Sequence, residues 1–217
     1  MVAVLAGCGG PPAPTDPSQK QLALAAAART SPGEVLRAAL EAMTRGDFAI
    51  FYLLLDPPSQ ARQLVGACED AAWHLVTKAL DPVARVDREV EAVSAVLERH
   101  GRDPDAVDEV MTSLGPLNAA RMHVAARKRL AALYARQPEH AAVFYAELMR
   151  TLSRAKPMRT AQREVTDLRI AGDQAHATIV DVDTARSWPA SFVRIRGGWY
   201  LVTEESISTE LDRLRAP

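Results

Sequence analysis

The chain is poor in the residues that usually mark chemistry. Its 217 residues hold two cysteines, Cys8 and Cys68. Cys8 lies in the leading segment and Cys68 inside an amphipathic helical pattern, so no disulfide is expected. The pair has no metal or redox spacing, and Cys68 reads as a small core residue. His74, His100, His123, His140 and His176 are scattered, with no H-x-H or H-x-x-x-H pair to pre-space a zinc site. No G-x-S-x-G, P-loop or G-x-G-x-x-G is present. Charge of one sign is missing as well: 26 basic against 27 acidic residues leave a net charge of −1. That balance excludes a basic field for nucleic acid and a polybasic membrane patch. No apolar run approaches the roughly 20 residues that span a bilayer. Aromatics make up only 5% of a chain that is 48% apolar and rich in alanine, so the core is expected to be aliphatic and largely helical.

What is present begins at the N-terminus. Leu5-Ala6-Gly7-Cys8 places a branched aliphatic residue and two small residues before a cysteine. This resembles the lipobox of bacterial lipoproteins at every position. The resemblance implies that Cys8 becomes the first residue of the mature protein and is acylated. Only seven residues precede Cys8, and none is basic, whereas a secretory signal carries a basic start and an apolar stretch of about 7–15 residues. Residues 1–8 therefore read as the remnant of a longer signal peptide whose start lies upstream. Residues 9–30, opening Gly9-Gly10-Pro11-Pro12, read as a Gly/Pro/Ala-rich tether without apolar periodicity. The residue after Cys8 is Gly9 rather than Asp, which resembles an outer-membrane address in a Gram-negative host. The expected location is the cell envelope, with the folded domain outside the cytoplasm and the membrane held through Cys8.

Helix signals then dominate. Ser31-Pro32-Gly33-Glu34 is a capping box with proline at the first helical position. Val35, Leu36, Ala39, Leu40 and Met43 follow a 3.6-residue stripe up to Gly46. Asp47 is placed to cap a short, apolar helix over 48–55, and Ser59 to cap the next. Breaks at Asp81-Pro82, Gly101–Pro104, Gly115-Pro116 and Gln137-Pro138 divide residues 60–156 into further helices. Between Asn118 and Arg136, Met122, Ala125, Ala126, Leu130 and Leu133 form the apolar side. The basic residues around them read as a solvated face, because the neighbouring segments are acidic.

After Pro157 the period changes from 3.6 to 2. Glu164–Ala171 and Gln174–Asp183 alternate, with a turn at Gly172-Asp173. Ser191–Arg196, a two-residue turn at Gly197-Gly198, and Trp199–Val202 complete an antiparallel meander of about four strands. Ser206 or Ser208 is placed to cap a short terminal helix. The expected fold is α+β: a predominantly helical N-terminal two-thirds, then the meander and the terminal helix, in one domain over 31–217.

The entry Gly46-Asp47-Phe48 and the closing hairpin Phe192–Val202 resemble the nuclear transport factor two-like superfamily, in particular small bacterial lipoproteins of unknown function. The match covers 31–58 and 162–205, with a helical insertion at about 60–156. The resemblance alone does not separate the functions; the leading expectation is a non-enzymatic binding or protein-interaction module, its partner an envelope protein or a lipid. The alternative is a carrier of a lipid or small molecule in a concave sheet pocket, with Tyr52, Phe192 and Trp199 as its candidate lining. An enzyme comes last. Superfamily isomerases pair an acid/base Asp with an oxyanion-stabilising Tyr, but the residues here match no such motif. Asp181 and Asp183, two apart on a strand, read as a solvated strand end before a cation site. No metal, cofactor or catalytic residue is expected.

Overall fold

The computed structural model describes residues 19–136, 138, 140–153 and 163–203. Within them eight helices come first: α1 (Gln19–Ala28), α2 (Pro32–Arg45), α3 (Phe48–Leu53), α4 (Pro57–Leu80), α5 (Asp87–Arg99), α6 (Ala106–Ser113), α7 (Ala119–Tyr134) and α8 (Ala141–Ser153). Four strands follow: β1 (Arg163–Ala171), β2 (Gln174–Asp181), β3 (Ser187–Ile195) and β4 (Gly198–Val202). They form one antiparallel sheet in the order β1-β2-β3-β4. The α+β arrangement expected from the change of period is the observed one. The leading segment with Cys8 and the terminal helix lie outside the described residues.

Local chemistry explains most helix ends. Ser31 accepts a hydrogen bond from the Glu34 N–H at 3.2 Å, and Gly46 ends α2 with φ +71°, a conformation that favours glycine. The Glu34 carboxylate does not close the capping box; it pairs with Arg37 instead. Asp47 caps α3, accepting from Ile50 N–H. Three boundaries differ from expectation. Residues 19–28 form α1 rather than tether, because the last proline is Pro17 and Gln19–Ala28 consists of good helix formers. The cap of α4 is Asp56, not Ser59: two prolines at the first helical positions move the helix start earlier, and Asp56 accepts from Ser59 N–H at 3.2 Å. The last hairpin turns on Arg196-Gly197, both with positive φ, while Gly198 already pairs with Ile195.

The sheet is fastened to the helices along β4. Leu201 N–H donates to Leu54 C=O at 2.9 Å, Asp56 N–H donates to Leu201 C=O at 3.1 Å, and Trp199 N–H donates to Arg29 C=O at 2.9 Å. The backbone of 54–56 thus continues the ladder beyond β4. The Ser59 hydroxyl accepts from Thr203 N–H at 2.9 Å and from Arg62 at 2.8 Å, and Arg62 also donates to Thr203 C=O. Ala175, Ala177, Ala190, Phe192, Trp199 and Leu201 are buried on the inner face, over which α2 lies. The opposite edge is bare. Val165, Leu168 and Ile170 of β1, expected to share a buried face, are exposed. Charges at Arg163, Glu164, Asp167 and Arg169, with a register shift between Thr166 and Arg169, blunt that edge against further pairing.

A candidate binding cleft among the helices

A cleft of about 910 Å³ opens between α1, α2, α3 and α8. Its floor is made by small side chains: Ala28, Ala42, Ala49 and Ala146 are buried beneath it. Where four helices meet through alanines, no side chain is large enough to fill the space between their outer faces. The rim is charged. Arg45 pairs with Glu41 at 2.6 Å and Arg37 with Glu34. Glu147 is held by Arg99 at 2.9 Å and lies 3.5 Å from the His100 ring. Asp47 accepts from the Gln21 amide at 3.1 Å. All four rim carboxylates are therefore engaged, whereas the rim cations Lys20 and Arg150 have no ion pair among the described residues. An occupant would meet an apolar floor beneath a rim of both signs, where Lys20 and Arg150 have no ion pair among the described residues and Asp47 is held by a neutral amide.

The sequence-derived candidates lie elsewhere. Tyr52 is buried on α3, its ring 4.9 Å from that of Tyr145. Burial, with the neighbouring Cys68 thiol, pushes its hydroxyl up to about 12. Phe192 and Trp199 are buried between sheet and helices, and none of the three lines the cleft. They are brought to one core. Asp181 organises a turn: its Oδ1 accepts from the N–H groups of Asp183 at 3.1 Å and Thr184 at 3.0 Å. The Thr184 bond foremost holds the Asp181 carboxyl below its usual range, the reverse of what mutual repulsion with Asp183 would do. Among the described residues no three His, Cys, Asp or Glu side chains cluster as a metal would require.

Sequence reasoning missed the cleft because its walls come from segments over a hundred residues apart and its floor is alanine, which carries no motif. One signal was available: Gln19–Ala28 holds a single charge, Lys20, and runs uncharged through Leu22 to Ala28. No protein-family model, curated protein or solved structure matches the chain.

Proposed function

We propose that the protein is an envelope lipoprotein, anchored through an acylated Cys8, whose folded domain is a non-enzymatic binding module. The observation that carries the module over the carrier is the inner sheet face. Phe192, Trp199 and Leu201 are buried against the helices there, whereas a carrier of the expected kind needs an open cavity at that place. The helical cleft is an open concavity, with an alanine floor and the cations Lys20 and Arg150, which have no ion pair among the described residues. An anionic or amphipathic segment of an envelope partner fits that chemistry. The enzyme reading needs a carboxylate acting on Tyr52, and the ionisable neighbour that acts on it is Cys68.

No helix among the described residues is long and apolar enough to cross a membrane, so the lipobox is the feature that supports attachment. Gly9 favours the outer membrane if the host is Gram-negative. The α2–α3 entry packed with β4 supports kinship with the nuclear transport factor two-like lipoproteins. Metabolic labelling with a palmitate analogue, of protein expressed from its native locus, tests the anchor. Wild type is expected to be labelled and Cys8→Ser not; equal labelling of both contradicts the reading.

A further inference from the structure

A helix that is apolar all round belongs in a core or a membrane. α1 is apolar all round beyond its first turn, and it is not in the core. Only Ala25 and Ala28 are buried; Leu22 and Leu24 are 47% and 49% exposed, and Ala23, Ala26 and Ala27 are exposed with them. Backbone direction places Leu22, Ala23 and Ala26 on the side of α1 away from the buried Ala25 and Ala28, whereas Leu24 and Ala27 line the cleft. The one charge, Lys20, sits in the first turn, where a long side chain reaches a headgroup while its stem stays in the apolar layer.

The chain outside the structure says what covers it. Ten residues separate Cys8 from Gln19, and ten residues span at most about 36 Å. With Cys8 acylated in the outer layer of a bilayer, α1 cannot be far from the lipid surface.

We propose that α1 is an interfacial helix, lying on the membrane with Leu22, Ala23 and Ala26 in the headgroup–acyl boundary and Lys20 at the phosphates. This rests on the lipoprotein reading for its geometry. An apolar helix beside the acylated cysteine supplies a second attachment.

The test uses the full chain on vesicles of phosphatidylethanolamine and phosphatidylglycerol with brominated acyl chains. A maleimide lipid couples the chain through Cys8, because the Cys68 thiol is buried and pushed up to about 12. Two variants each add one tryptophan. Leu22→Trp places it on α1. Val83→Trp places it on an 87%-exposed position beyond the far end of α4, a helix about 36 Å long. The expected result is at least a twofold loss of the added emission in Leu22→Trp, with none in Val83→Trp. In the uncoupled chain carrying Cys8→Ser, Leu22→Glu is expected to lower vesicle binding roughly tenfold or more, the transfer free energy of one leucine. Equal quenching at both positions, or none at either, overturns the proposal; so does a second copy covering α1 in solution, seen as a dimer that Leu22→Glu dissolves. The outcome is independent of metabolic labelling. Labelled protein without quenching removes the interfacial helix and keeps the anchor; quenching without labelling does the reverse.

Discussion

Ser59 shows how a single hydroxyl ties distant parts of the chain. It sits at the start of α4, is fully buried, and accepts from Thr203 N–H and from Arg62. Ser59→Ala leaves a buried N–H without its partner, which costs about 1–3 kcal/mol; urea unfolding is expected to show that loss. Three histidines set a pH dependence. Burial foremost pushes His74, His100 and His123 below the ordinary 6.5, and the Glu147 carboxylate beside His100 offsets this only in part. A base with a lowered pKa in the folded state binds fewer protons there than in the unfolded chain. Its stability contribution is present above 6.5 and is lost as pH falls through the depressed values. The urea midpoint is expected to fall on acidification from about pH 7.5 to 5. His100→Asn is expected to flatten that slope in part, leaving the remainder to His74 and His123; an unchanged slope contradicts the assignment. The Asp181 carboxyl titrates lower, below 3.8, and contributes outside this window.

At the scale of elements, the hairpin between β3 and β4 turns on Arg196 with φ +50° and Gly197 with φ +83°. Two positive φ values match the twist of the strands, and Asn-Gly is the pair that adopts them most readily. Arg196→Asn is expected to stabilise by about 0.5–1 kcal/mol, and Gly197→Ala to destabilise by about 1 kcal/mol or more, both read from thermal melts. The two outer positions of the sheet contrast with its centre. Phe192→Ala is expected to cost about 3–5 kcal/mol, whereas Ile170→Thr on the exposed β1 changes stability by about 0.5 kcal/mol or less. That contrast marks what periodicity carries. Alternation revealed the strands, but neither the irregularity between Thr166 and Arg169 nor that α2 covers β1 only slightly, with Gly33 near Leu168. Turn chemistry was legible at Ser31, Gly46 and Asp47, where one side chain or one φ decides. It misplaced the last hairpin by one residue, because Gly197-Gly198 offers two glycines and register is set by pairing across the strands. The stripe on α7 was rotated for the same reason. Ala126, Leu130, Ala131 and Tyr134 face α4, and Leu133 lies outside, since the partner helix and not the period alone selects the face.

For the whole molecule, the helices and the sheet enclose one core whose largest fully buried side chains are Tyr134, Tyr145, Phe144 and Phe192, more aromatic than the composition suggested, and exposed apolar residues remain on α1 and on β1. The candidate pocket residues Tyr52, Phe192 and Trp199 were recognisable as inward-facing, but whether inward means cavity or packing depends on the volume that α2 and α3 fill. The cleft had no such cue, being made of alanines from opposite ends of the chain. On the proposed reading, attachment and binding are one design: an acylated cysteine, ten residues of chain, a helix suited to the lipid surface, and a cleft on its other side. The central claim is that Cys8 carries lipid, and intact mass spectrometry of the protein extracted from its host's membranes tests it most directly. A mature chain that begins at Cys8 and bears diacylglyceryl on its sulfur, with or without an amide-linked acyl chain, is the predicted result. A chain whose Cys8 retains a free thiol and the residues before it would contradict the account.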